Sequence, residues 1–124
     1  MENSFLATKV SFCQQFYFIA SEMDVDYEEL RELFVLDPRV NPSHTFVDRL
    51  HPYWSSHCLD KDVPAIADAY EASLLQEVIK FNENTKKCLG IIRRAEIPEG
   101  IKNDMLMYQA GVKRKEILKD QETP

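Results

Sequence analysis

The residues with the most chemistry in them lie in one short run, Ser56-His57-Cys58-Leu59-Asp60-Lys61-Asp62, followed by Val63-Pro64. A lone cysteine beside a histidine stands there at the predicted threshold of a helix. The unpaired N–H groups and the macrodipole of a helix start favour an anion. A thiol in such a place, close to a lysine, tends toward a larger thiolate fraction. Asp62 follows Cys58 at i+4, so an early helix start brings its carboxylate beside the sulfur. The plainer alternative is a half-buried cysteine acting as a small apolar residue.

Three histidines, His44, His51 and His57, crowd the same region as Cys58. Histidine and cysteine are the usual ligands of zinc. The spacings match no common zinc signature, however, and adjacent ligands such as His57 and Cys58 are awkward. A zinc-binding module is the weakest of the alternatives, and no metal is expected.

These residues need a frame to hold them. At 124 residues the chain has the size of one domain with a genuine core. No apolar run approaches the ~20 residues of a membrane span, and the N-terminus has no signal-peptide layout. Cys13, Cys58 and Cys88 are odd in number and widely spaced, which predicts reduced thiols in a cytoplasmic protein. The net charge of −6 is uneven: residues 1–50 carry −5, residues 51–85 carry −4, and residues 86–124 carry +3. The basic run Lys113-Arg114-Lys115 is interleaved with acids and lacks an aromatic platform, so it reads as a solvated helix face and not as a nucleic-acid site. Only Gly90, Gly100 and Gly111 occur, and no phosphate-cradling loop can be written with them. The chain is expected to hold no NAD of its own.

The periodicity predicts an all-α domain of four to five helices with one long central helix and a long ordered loop. The first helix reads from about Ser4 to Met23, with Asn3 or Ser4 as its cap. Leu6, Val10, Cys13, Tyr17 and Ala20 form one stripe on it; Phe5, Phe12, Phe16, Ile19 and Met23 form a second, roughly 110° away. So wide an apolar surface implies two partners, one within the chain and one outside it, or else a central helix wrapped entirely by its own domain. Asp26-x-x-Glu29 is a capping box opening a second helix from Tyr27 to about Leu36, which Asp37-Pro38 ends. Pro38, Pro42 and Pro52 punctuate a loop of some twenty residues, a length that is often functional. A third helix is predicted over about Val63–Ala72. Ser73-x-x-Gln76 is a second capping box, opening a fourth helix to about Ala95. A last periodic segment, Ile101 to Leu118, is interrupted by Gly111. Nothing reads as a strand. These elements divide into a domain over 1–95 and a helical tail over 96–124.

Three stretches together resemble the central (dimerisation) domain of the UDP-glucose/GDP-mannose (nucleotide-sugar) dehydrogenase family. Asn3-Ser4-Phe5-Leu6-Ala7-Thr8-Lys9-Val10 looks like the family's N-x-F-L-A-x-[KR]-[VI] helix. Asp26-Tyr27-Glu28-Glu29-Leu30 through Leu36-Asp37-Pro38-Arg39-Val40 is similar to its D-[YV]-E-E-[VL] … D-P-R-[IV] segment. Cys58-Leu59-Asp60-Lys61-Asp62-Val63 is similar to its C-F-x-K-D-V box. Val78-Ile79-Lys80-Phe81-Asn82-Glu83 also resembles its V-I-x-x-N-E helix. The likeness covers about residues 3–94. It departs most at Tyr53-Trp54-Ser55-Ser56-His57-Cys58, where the family has a glycine-rich G-x-G-G-[SH]-C loop.

The resemblance implies a four-electron oxidation of a sugar-nucleotide 6-hydroxyl to a carboxylate with two NAD. Cys58 would capture the aldehyde as a thiohemiacetal and later carry a thioester, chemistry that suits a thiolate. Asp62 would assist proton transfer, Asn3 would bind the oxyanion or an ordered water, and Arg39 would reach the sugar nucleotide of a neighbouring subunit. Lys61 and His57 would contact substrate, the histidine being similar to branches that handle N-acetylated sugars. The expectation is an isolated central domain, inactive alone, that carries the cysteine loop and forms a homodimer through its first helix. It would pair as well with a full-length relative or with flanking domains that supply the NAD site. The alternative is a non-enzymatic helical interaction module.

Overall fold

The computed structural model describes residues 1–112. Five helices follow in order: α1 (Glu2–Glu22), α2 (Tyr27–Phe34), α3 (His57–Ala69), α4 (Ser73–Arg94) and α5 (Glu99–Gln109). No strand occurs among the described residues. The run Lys113-Arg114-Lys115 and the rest of the last periodic segment lie outside them.

Helix α1 is the rod on which the others are assembled, and it packs against all four. Its most deeply buried face runs through Ala7, Ser11, Gln14 and Phe18, spaced as one side of a 3.6-residue helix requires. Two of those four are polar, which is why the apolar stripes do not mark the centre of the buried face. The first stripe lies along its edge, with Cys13 and Ala20 buried and Tyr17 partly so. The second stripe faces outward: Phe5, Phe12, Phe16 and Met23 are all exposed.

Four helices end in one way. A residue in the left-handed region follows the last turn, and the next amide reaches back to a carbonyl five residues earlier. The pairs are Asp24 with Val25→Ala20, Glu71 with Ala72→Ala67, Glu96 with Ile97→Ile92, and Gly111 with Val112→Met107. This is the Schellman arrangement, and each returning residue is apolar. Only the last uses glycine. Gly111 therefore stops α5 where the periodicity reads only an interruption.

Three helix starts differ from expectation. Helix α1 begins at Glu2 with Met1 before it and no side-chain cap, so Asn3 and Ser4 lie inside the helix. Helix α4 begins at Ser73 with Ala72 as an uncapped N-cap, so Ser73 does not close a capping box. Helix α3 begins six residues before Val63, because the Ser56 hydroxyl accepts the Leu59 amide at 3.1 Å. Pro64 sits within α3 and leaves the Asp60 carbonyl without its helical donor. The Asp26 cap on α2 is as predicted, its carboxylate accepting the Glu28 amide at 3.0 Å.

Helix α5 belongs to the core. Leu106 and Ala110 pack with Phe18 of α1 and Cys88, Leu89 and Ile92 of α4. Gln15 donates to the Ala110 carbonyl at 3.3 Å, and Gln109 donates to the Thr85 hydroxyl at 3.1 Å. Leu106→Ala should lower stability by about 2–4 kcal/mol, the usual cost of such a truncation in a packed core. Urea unfolding should show it as a lower midpoint in one transition, whereas an unchanged midpoint would mean that α5 is not part of the folding unit.

Candidate functional site

The thiol is placed by a loop that is itself held from both sides. Between α2 and α3 the chain has no regular structure from Val35 to Ser56, yet it is tied at three places. Lys9 of α1 donates to the Asn41 carbonyl at 2.6 Å. Thr45 is fully buried, with its carbonyl accepting from Tyr27 Oη at 2.6 Å and its hydroxyl from Arg31 Nε at 2.8 Å. The Arg31 guanidinium also lies 3.5 Å from the centroid of the Phe46 ring, a cation–π contact at the surface.

The third tie lies next to the site. Asn82 of α4, fully buried, accepts the Trp54 amide at 2.8 Å and donates to the Trp54 carbonyl at 2.9 Å. From the other side Gln14 of α1, with its amide oriented to satisfy both groups, donates to the Pro52 carbonyl at 3.1 Å and accepts from the Tyr53 amide at 2.7 Å. The Trp54 indole packs among Ala7, Val63 and Val78 and donates to Ser11 Oγ at 3.0 Å. Trp54 thus turns inward, and the backbone of Ser55 to His57 stays at the surface despite the absence of glycine. Lys86 completes the holding, 3.8 Å from Asp60 Oδ1 and over the Tyr53 and Trp54 rings at 5.5 and 5.9 Å.

Cys58 follows directly. It is the second residue of α3 and is exposed. Asp62 stands one turn further along the same helix face, where i and i+4 side chains are neighbours. Asn3 of α1 donates from Nδ2 to Asp62 Oδ2 at 2.8 Å, joining residues 59 apart in sequence. The structure therefore brings three predicted site residues to one place. Of the other three, His57 and Lys61 share that helix start, and Arg39 stands apart. Arg39 forms a bidentate pair with Asp37, at 3.0 Å from Nε and 2.7 Å from Nη2, and that guanidinium holds the Asp37 carboxyl below its usual range. Lys61 and His57 are exposed at the start of α3. Reasoning from sequence missed Gln14, Ser11, Trp54 and Lys86 as positioning residues. Asn82 lay within a quoted motif, but its partner 28 residues away did not.

The histidines do not converge. His51 pairs with Asp48 at 3.2 Å, and His44 pairs with Ser43. Among the described residues no three His, Cys, Asp or Glu side chains form a group able to hold a metal ion.

The other two thiols are inside. Burial pushes Cys13 above its ordinary value, outweighing its hydrogen bond with Tyr27, and burial likewise raises Cys88. Both fold neutral. Their contribution to stability is complete below the ordinary thiol value of 9.0 and is lost as pH rises above it, because the unfolded chain ionises first. A limiting dose of iodoacetamide near pH 8 should label Cys58 at least about tenfold faster than Cys13 or Cys88, since Cys58 is exposed while burial both shields the other two and suppresses their ionisation. Peptide mapping reads the order, and preferential labelling of a buried thiol in folded protein would contradict this placement.

Comparison with known proteins agrees with the motifs. The model of the UDP-glucose/GDP-mannose dehydrogenase family, central domain, matches residues 1–84. Neither a search of curated proteins nor one of solved structures finds a match. The matched span includes α1, α2, the tied loop, the Cys58–Asp62 turn of α3 and Asn82, and so contains every predicted site residue. The chain belongs to the UDP-glucose/GDP-mannose dehydrogenase family, of which it carries the central domain.

Proposed function

We propose that this chain supplies the nucleophilic thiol and the dimer contact of a nucleotide-sugar 6-dehydrogenase, which oxidises a UDP-sugar to a UDP-uronate. The observation that carries this reading is the Asn3–Asp62 hydrogen bond of 2.8 Å, one helical turn beyond Cys58. In the proposed chemistry the Cys58 thiol adds across the C=O of the aldehyde intermediate: the S–C bond forms as the C=O π bond opens, and the proton leaving sulfur passes to the carbonyl oxygen. Asn3 fixes one oxygen of Asp62, so the other is available for that proton. Lys61 and His57, exposed at the same helix start, meet the substrate. Arg39 reaches the sugar nucleotide held by a second subunit. A reducing, cytoplasmic setting belongs to the same reading, since exposed Cys58 stays a thiol there.

The residues described do not fit NAD. Gly90 lies inside α4, Gly100 lies in the first turn of α5, and Gly111 serves the end of α5 with φ +70. None makes the glycine-rich turn between strand and helix that receives a pyrophosphate. The nicotinamide cofactor is therefore assigned to other parts of the family's architecture, and the chain alone turns over no sugar nucleotide.

The dimer contact is the outward stripe of α1. The Phe12 and Phe16 rings lie tilted against each other at 4.9 Å between centroids, across a small hollow from Phe34 of α2. Covering several hundred Å² of this surface is worth on the order of 10 kcal/mol gross at ~25 cal/mol/Å², from which association costs subtract much. The same stripe favours a second reading, a helical interaction module in which the thiol does no chemistry.

A chimaera separates the two. Residues 1–112, which keep the core helix α5, replace the central domain of a full-length relative, and NADH formation with a UDP-sugar is followed. The catalytic reading expects turnover that Cys58→Ser lowers by at least about 10³-fold, as loss of a covalent nucleophile does. A folded chimaera that is inactive, or whose turnover survives Cys58→Ser, would favour the interaction module.

A further inference from the structure

A groove of about 460 Å³ lies between α1 and α4, and no predicted site residue lines it. The two helices run in the same direction, one cluster joining Ala7 to Val78 and another joining Phe18 to Leu89. Gln15, Asn84 and Gly111 therefore mark one end of the groove, and Thr8 and Leu74 mark the other. Its floor is apolar, formed by Phe12, Val78 and Phe81, and Leu74 is 68% exposed. The near end is polar and incompletely paired. Gln15 donates to the Ala110 carbonyl, and half-buried Asn84 has no hydrogen-bond partner among the described residues. Glu77 and Lys80 also line the groove and enter no ion pair among those residues.

The described residues end at this groove. Gly111, with φ +70, stops α5, and the Val112 amide turns back to the Met107 carbonyl. Lys113-Arg114-Lys115-Glu116-Ile117-Leu118 follows, a run that the candidate site does not use. We infer that the groove receives this segment of the chain's own C-terminus, extended from Gly111 toward Leu74. The inference does not rest on the dehydrogenase chemistry, and the groove shares only Phe12 with the outward stripe of α1.

Length and register support it. Asn84 and Leu74 of α4 stand about 15 Å apart at ~1.5 Å per helical residue. Extended chain from Val112 to Ile117 spans about 16 Å at ~3.3 Å per residue, which brings Ile117 to exposed Leu74. By the same spacing Lys115 comes level with Glu77. Extended residues alternate sides, so Lys115 and Ile117 face the groove together while Arg114, level with Lys80, faces solvent with Glu116 and Leu118. The backbone of such a segment needs partners for its N–H and C=O groups. A side-chain amide offers both a donor and an acceptor, and Gln15 and Asn84 stand where the segment enters. Gln14 and Asn82 already hold the backbone around Trp54 by the same means. Because the segment starts at the groove's end, it is tethered there at an effective concentration on the order of millimolar.

Limited trypsin digestion of the full chain tests this, because Lys113, Arg114 and Lys115 are cleavage points that docking shields. Mass spectrometry reads the cut, and circular dichroism confirms equal helix content in each variant. Cleavage after these residues should be at least about tenfold faster in Ile117→Asp than in the wild type. Leu74→Asp, changed on the groove side, should accelerate it equally, whereas Leu118→Asp should stay within about twofold of the wild type, since that side chain faces solvent. A wild-type chain cut as fast as Ile117→Asp overturns the docking. Acceleration by Ile117→Asp without acceleration by Leu74→Asp overturns this groove as its place, and Leu118→Asp as fast as Ile117→Asp overturns the register. Protection that vanishes on dilution overturns docking within one chain and makes a second copy the occupant.

Discussion

Two buried amides hold in place the one long irregular segment among the described residues. Asn82 pairs with the amide and carbonyl of Trp54, while Gln14 pairs with Pro52 and Tyr53. Backbone that passes through a core without a ladder partner needs such pairing, since an unsatisfied buried amide costs about 1–3 kcal/mol. The two amides come from α4 and α1, so the segment is clamped between helices that pack on each other. Removing the clamp would expose Trp54, open the cluster it forms with Ala7, Val63 and Val78, and release the start of α3. The thiol helix depends on that clamp more than on its own propensity.

The Trp54 anchor also accounts for a loop without glycine. In a site where backbone must approach a substrate, glycine removes the side chain. Here the large side chain is turned into the core and satisfied by Ser11, which leaves surface backbone free by a different route. One rod holds the site on one side only. The inner face of the 21-residue α1 holds the loop through Ser11 and Gln14 and the carboxylate through Asn3, while its outer face leaves Phe5, Phe12, Phe16 and Met23 exposed.

Much of the helix pattern was legible because apolar spacing and the Asp26 cap act locally. The misread starts share a cause, which is that capping is decided by one hydroxyl in competition. Ser56 captured the Leu59 amide six residues before the predicted start, whereas Ser73 captured none. The ends of α1 and α4 fall within a residue of expectation and that of α3 three residues before it, but all three rest on left-handed residues, Asp24, Glu96 and Glu71, where sequence reasoning looks for glycine. Local strain of about 1 kcal/mol at each is outweighed by packing that no short window contains. In the site, Cys58, Asp62 and Asn3 were legible from motifs. Their positioning residues were not, because a buried Gln or Asn looks like surface until its backbone partner is known. The pairing of Asn3 with Asp62 depends on how α1 crosses α3, which spacing along the chain does not encode.

Native-state hydrogen exchange of the Trp54 amide tests the clamp most directly. The amide lies in an irregular loop, yet it is buried and bonded to Asn82. It should exchange only when the core opens, with protection close to that of core amides in α4 such as Leu89. Exchange as fast as that of the exposed loop amides of the same segment would contradict the account, since the loop would then open independently of the helices said to hold it.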